Sequence, residues 1–335
     1  MQISRKWASG LSSSLPGDIL VLAVTGAGRP GLRVEAAVGY RLRFVVGGRP
    51  FLWARIEPYW DEAWLIRAPS PPLPLLPPLR AAEARAVGHE PRSALWWRAW
   101  ALHAVDTLRE RALLLSDGTW CVGQVPAVTP DRAWGYPVSP WGYVEDSGLP
   151  PAYVPAGGLH CPAYVDEPWN SWDHTPAGAL LALRELGAGD AGRVRAWRKH
   201  ARDGSLPPVL LFHARLLGKY VILDGHVRLA AALEEGIAPP LLAVWPAREH
   251  VRRVNDETRR LVWENPPELE QMPPEQRVEA QNRVVMAVFA EQVTYPHRPI
   301  GWPLGGGADA WRAEVSQRLR ALDLDCDEID RALGL

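Results

Sequence analysis

The apolar positions of this chain fall in short runs through residues 18–67 and at helical spacing through much of the remainder. Asp-Ile-Leu-Val-Leu-Ala-Val-Thr, Asp18 to Thr25, predicts a strand, and Tyr40 to Val46 with Phe51 to Glu57 predicts a hairpin about Gly47-Gly48. Asp117-Gly118, with an apolar run before it and Trp120-Cys-Val after it, reads as a second hairpin turn, and Trp120 to Val128 reads as a strand. Between them, from Ser93 to about Leu115, Leu95, Ala99, Leu102, Val105 and Leu108 recur on one face of a predicted helix.

Proline and glycine punctuate the rest. Six prolines in residues 69–78 make a stiff extended connector, and residues 130–163, dense in Pro, Gly, Trp and Tyr, read as a long ordered loop. Thr175-Pro176 supplies an N-cap and first turn for a helix through Leu186, and Asp190 caps a second through about Arg202. Tyr220 to Leu223 reads as a buried strand and Leu229 to Glu235 as a helix, which Gly236 and Pro239-Pro240 end. Beyond Trp245 helices are predicted over 249–264, 274–292 and 308–321, with a short last one after Asp325. The expected class is α+β in three parts: a Trp-rich, β-containing N-terminal domain with one long helix (1–155), an α/β module (156–248) and a helical C-terminal region (249–335).

Composition narrows the function classes. A net charge of −1 exerts no global pull on nucleic acid or acidic membranes. Three distant cysteines, Cys121, Cys161 and Cys326, argue against a disulfide framework, and the absence of Cys-x-x-Cys or His-Glu-x-x-His spacing argues against zinc. The Ile19–Val24 run is too short for a signal peptide, and no segment has the ~18 apolar residues of a membrane span, so the expected location is the cytoplasm. Seventeen tryptophans beside four phenylalanines are large anchors with a polar handle, expected at packed, half-wet surfaces. Arg193, Arg195, Arg198, Lys199 and Arg202 make a basic helix whose default reading is a solvated face; acidic residues 323–330 offer it an intramolecular or homodimer partner.

The segment with chemistry is Asp224-Gly225-His226-Val227-Arg228, at the junction of the strand ending at Leu223 and the helix that follows. A strand turning directly into a helix aims free N–H groups and the positive dipole end at whatever occupies the turn. Taken alone, these residues leave two readings open: Asp224 as an ordinary N-cap, or an anion site, most naturally for phosphate, completed by His226 and Arg228.

The order Leu206-Pro-Pro-Val-Leu-Leu, a turn near Gly218-Lys219, Tyr-Val-Ile-Leu-Asp-Gly-His-Val-Arg-Leu-Ala-Ala-Ala, then Gly236-Ile-Ala-Pro-Pro-Leu-Leu-Ala-Val-Trp245 resembles the ParB/sulfiredoxin superfamily. The resemblance spans roughly residues 160–247 and is sharpest over five residues. Gly225 stands where sulfiredoxins carry cysteine, and the Gly-Glu-Arg-Arg-type box of chromosome-partitioning ParB proteins is absent, so the nearer match is the branch with the free-serine kinases. It implies Asp224 as the acid near a reacting hydroxyl, Gly225 as the close backbone approach, and His226 and Arg228 as nucleotide-phosphate ligands. For the upstream catalytic acid, Tyr164-Val-Asp-Glu-Pro-Trp169 offers Glu167, with Asp166 as competitor; the plain alternative is a solvated turn. The implied cofactors are ATP or ADP, alternatively CTP, with Mg²⁺.

Two glycine motifs are set aside. Gly26-Ala-Gly28-Arg-Pro-Gly31 has the dinucleotide pattern, but a hairpin rather than a helix follows it, and Gly305–Gly307 lacks the Lys-Ser/Thr of a P-loop. Three function classes stand: a phosphotransferase acting on a small hydroxyl-bearing substrate, a ParB-like nucleotide switch controlling dimerisation or partner and DNA binding, and an interaction protein on a degenerate version of the fold.

Overall fold

Two β-sheets and a long helix share one apolar layer. The computed structural model describes residues 1–8, 17–57, 62–69, 74–128, 149–154, 159, 161, 163–168, 179–252, 254–264, 273–289 and 292–335. Most of the long loop expected over 130–163, and Thr175-Pro176, lie outside them.

The N-terminal strands are β1 (Gln2–Ala8), β2 (Ile19–Thr25), β3 (Leu32–Ala37), β4 (Arg41–Val46), β5 (Arg49–Glu57) and β6 (Glu62–Arg67). Helices α1 (Ala81–Ala86) and α2 (Ala94–Glu110) precede β7 (Gly118–Val125), β8 (Ala127–Val128), β9 (Ala152–Tyr153) and β10 (Tyr164–Pro168). Then come β11 (Leu180–Leu181), α3 (Ala191–Arg202), β12 (Val209–Ala214), β13 (Lys219–Asp224), α4 (His226–Glu234) and β14 (Leu241–Ala247). The chain continues through β15 (His250–Arg252), α5 (Asp256–Glu264), α6 (Pro274–Phe289), β16 (Gln292–Thr294), β17 (Trp302–Pro303), α7 (Gly307–Arg320) and α8 (Cys326–Leu333). This is an α+β protein.

One sheet runs β1-β2-β7-β14-β12-β13-β11, antiparallel except at the β14/β12 and β13/β11 pairs. The other runs β10-β6-β5-β4-β3-β17, with only β17/β3 parallel. The strands β12, β13 and β14 of the first sheet are buried on both faces because both are covered, whereas the edge strand β1 is largely exposed. Leu20, Leu22, Leu210, Phe212, Val221 and Leu223 face the second sheet and α2, whereas Ile19, Val21, Val209, Leu211, Tyr220 and Ile222 pack on the opposite side with Leu229 of α4. The outer face of the second sheet, Trp53, Trp64 and Ile66, is covered by Trp311, Val315 and Leu319 of α7 and by α8. Strands from either side of residue 155 are hydrogen-bonded into one sheet, so the boundary expected there does not separate two sheets.

Several local expectations change. Ser93 caps α2, accepting from the Trp96 N–H at 3.2 Å, and the buried stripe is Trp96, Trp100, Ala104, Val105 and Leu108 while Leu95 is exposed. The large indoles set the rotation of the helix, since they remove more apolar area from water than Leu95 does. Asp117-Gly118 is no hairpin: the run before it leaves α2, and the Asp117 carboxylate accepts the Ala27 N–H at 2.6 Å. The Gly26–Gly31 segment links β2 to β3, as its sequence context required. In place of a helix running to Leu186, Leu180–Leu181 form the edge strand β11. Within 249–264 and 274–292, β15 and β16 pair at the base of α5 and α6. Trp120, Trp245 and Trp311 are fully buried; Trp120 and Trp311 can be so because their indole N–H groups donate to the carbonyls of Ser116 (2.8 Å) and Leu42 (2.9 Å).

Candidate functional site

β13 delivers Asp224 to the end of the first sheet, and Gly225 turns the chain into α4. Its φ of +106° lies in the region that favours glycine, and a Cβ there would sit 3.1 Å from Val209 Cα and 3.0 Å from the Arg228 guanidinium. Gly225 is therefore the N-cap residue and has no side chain to cap with. Asp224, an N-cap candidate by sequence, does not cap α4: its Oδ2 accepts from Arg228 at 2.9 Å, one helical turn on. No side chain caps the start of α4, whose first residues line a cleft.

Arg228 is buried at 4 % exposure, and the same terminal nitrogen also donates to the Pro208 carbonyl at 2.8 Å. Its guanidinium carbon stands 6.0 Å from the Trp197 ring of α3. This side chain, expected to grip phosphate with a free fork, ties β12, β13 and α4 together. His226 is also buried, and its Nε2 accepts the Leu183 N–H at 3.0 Å. That bond leaves the ring proton to Nδ1. Burial, reinforced by the nearby Arg184 charge, pushes the imidazole down to about 4.

The cleft in front of α4 holds about 300 Å³ and is lined by Asp224 to Arg228 together with Arg184, Asp190, Arg193, Trp197 and Leu75. Arg184 grips Asp190 through both carboxylate oxygens, at 2.7 and 3.0 Å, and Arg193 approaches it to 3.6 Å. The hydrogen bond from Arg184 holds the Asp190 carboxyl below its ordinary range. Asp190, expected to cap α3 with its side chain, instead turns back to Arg184 and to the Gly187 N–H at 3.2 Å. Three guanidinium groups against two carboxylates, added to the helix dipole, make the cleft electropositive. Arg184 gives no signal in the sequence, and Arg193 is visible only as one member of the basic α3 run, of which Arg198 and Arg202 pair with Glu235.

A second cleft, of about 480 Å³, lies on the α2 side, and Asp224, Arg228 and Pro78 line both. Glu167 is not brought to this junction by any described element. It lies on β10, the edge strand of the other sheet, opposite Ala63, and Asp166 lies opposite Trp64. The side chains of Asp166 and Glu167 fall outside the described residues, and the helix they were expected to precede is not formed over Leu180–Leu186.

The carboxylate inventory fits Mg²⁺ in a limited way. Asp190 is fully engaged by arginine and backbone, so Asp224, whose Oδ2 alone is taken, would hold a cation brought in on nucleotide phosphates, where it would neutralise phosphate charge. Among the described residues no three His, Cys, Asp or Glu side chains gather as a metal centre, and no helix is long and apolar enough to cross a membrane. Comparison with known protein families, with characterised proteins and with solved structures found no match.

Proposed function

We propose that the cleft at the start of α4 binds the phosphates of a nucleotide, ATP or ADP first and CTP as the alternative, and that the protein transfers a phosphoryl group to a small hydroxyl-bearing molecule. The observation carrying this reading is the uncapped α4 N-terminus, opened by Gly225 and faced by Arg184 and Arg193. His226 Nδ1–H and the helix N–H groups are donors for phosphate oxygens, and the exposed Arg193 supplies mobile positive charge. Asp224, oriented by Arg228, is the proton acceptor for the hydroxyl; such help is typically worth ~10²–10⁴-fold. The ParB/sulfiredoxin resemblance of residues 160–247 supports the same assignment, with Arg228 moved from phosphate ligand to the residue that positions Asp224.

A switch without turnover is the second reading, and one feature favours it. Arg184 and Arg193 both already bind Asp190, so an incoming phosphate would exchange their partner at the start of α3.

Calorimetric titration of wild type and Arg193→Ala with ATP, ADP and CTP plus Mg²⁺ tests the site. Binding by wild type that weakens in Arg193→Ala is expected; absence of binding by wild type rejects both nucleotide readings. Phosphorus NMR of ATP incubated with a panel of small alcohols then separates transfer from a silent switch.

A further inference from the structure

The proline-rich connector contributes one wall of the cleft in front of α4. Leu75 and Leu76 are buried in the core shared by the two sheets and α2, and Leu79 packs against the cluster formed by α3 and α4. The strap is thus anchored by its leucines, while Pro74 and Pro78 stay exposed, and Pro74, Leu75 and Pro78 all line the cleft. No side chain on this wall donates or accepts a hydrogen bond, and proline has no N–H to offer. The cations of the same cleft come from elsewhere in the chain, Arg184 from the segment before α3 and Arg193 from α3 itself. The cleft therefore offers charge for an anionic group and, beside it, a rigid apolar surface that an inorganic anion would leave uncovered. Proline rings lose little freedom when a ligand packs on them, so such a surface is preformed.

We infer that the proline wall seats the base of the nucleotide by face contact alone, and so selects purines over pyrimidines without distinguishing adenine from guanine. The inference rests on the phosphate reading of this cleft for the anchoring of the ligand, and on the strap for its selectivity. At about 300 Å³ the cleft stands at the small end of ligand pockets, which suits cover of one face of a base with its edges left in water. Two fused rings bring more apolar area to that wall than one ring does, so a purine gains more than a pyrimidine. Nothing among Pro74, Leu75 and Pro78 reads the exocyclic groups by which adenine and guanine differ. Ligand selection then belongs to the connector before α1, whereas the phosphate donors all follow β11.

Calorimetric titration of the full chain with ATP, GTP, CTP and inorganic tripolyphosphate, each with Mg²⁺, tests the wall. ATP and GTP are expected to bind alike, CTP more weakly, and tripolyphosphate about tenfold more weakly than ATP, the size expected when one ring face leaves water. The double variant Pro74→Ser with Pro78→Ser should bring ATP affinity down toward that of tripolyphosphate and leave tripolyphosphate itself unchanged, which also reports that the cleft is intact. In wild type, ATP bound no better than tripolyphosphate, CTP bound more tightly than ATP, or a more than tenfold difference between ATP and GTP would each overturn the inference and leave the phosphate reading standing. ATP affinity undiminished in the double variant would overturn it as well. Failure of wild type to bind either tripolyphosphate or ATP would overturn the phosphate reading and the inference with it.

Discussion

Replacing Arg228 by alanine separates two roles for this side chain. If it is a strut, Arg228→Ala removes the donor to Pro208 O at 2.8 Å and to Asp224 Oδ2 at 2.9 Å, from a side chain 5 % exposed. The orphaned carbonyl costs about 1–3 kcal/mol. Breaking a fully buried ion pair would cost about 3–5 kcal/mol, but the Asp224 side chain is 24 % exposed and recovers hydration, which brings that part down to about 1 kcal/mol. The expected loss is about 3 kcal/mol in all, or roughly 1 M in urea midpoint at a slope of about 3 kcal/mol/M. Arg193→Ala, on a half-exposed side chain, should stay within about 0.5 kcal/mol of wild type. Urea unfolding of both variants, followed by Trp fluorescence, measures the difference. An Arg228→Ala protein as stable as wild type but unable to bind ATP would refute the strut and return Arg228 to the phosphate.

Three further outcomes follow from the same geometry. Gly225→Ala, forced to hold φ near +106° with a Cβ 3.1 Å from Val209 Cα, should lose about 1–3 kcal/mol in urea unfolding together with its nucleotide binding; full binding would show that the turn can relax. His226 titrates near 4 when folded against an ordinary 6.5, so the unfolded chain binds more protons between those values. Stability is therefore complete above about pH 6.5 and falls as pH drops toward 4, by roughly 3 kcal/mol from this group. His213, pushed down to about 3 by burial, adds to the same acid-side loss, and urea midpoints that do not fall between pH 7 and pH 5 would contradict it. Glu35, at 2 % exposure, accepts from Arg33 at 2.7 Å and from Arg29 and Arg43 at 2.9 Å. Arg43 also pairs with Glu314, so Glu35→Ala leaves Arg33 without its counter-ion while Arg43 keeps one, and should cost about 3 kcal/mol; a loss under about 1 kcal/mol measured by urea unfolding would show that solvent replaces Glu35.

What was legible in the sequence tracks how locally each element is determined. The β4/β5 hairpin, the start of α2 near Ser93, and the strand–Asp-Gly–helix junction follow from turn chemistry and short apolar runs, and they stand where expected. The rotation of α2 differs from the expected one because counting apolar positions gives Leu95 the weight of Trp96, whereas packing follows buried area. The sheet that joins β1, β2 and β7 to β14, β12, β13 and β11 was invisible, since strand pairing across more than a hundred residues leaves no local mark. For the same reason nothing in the sequence marks Arg184, which reaches the cleft from a stretch expected to be helical.

Why the polar groups collect where they do follows from the two-sided burial of β12 and β13. A strand covered on both faces has room for charge only at its ends, and Asp224 is the last residue of β13. Its carboxylate does not cap α4: Gly225 is the N-cap residue, and Arg228 holds Asp224 Oδ2 from one turn into the helix. The start of α4 is thereby left without a side-chain cap beside the arginine-lined cleft. Arg228, in giving up its own freedom, presents Asp224 to two clefts at once. Reversing that arrangement with Asp224→Asn should leave binding of metal-free ATP near wild type, since the proposed phosphate donors lie elsewhere, and remove transfer to an alcohol by at least the ~10²-fold typical of a lost general base. Loss of ATP binding in Asp224→Asn, measured by calorimetry, would mean that Asp224 holds the nucleotide rather than the hydroxyl.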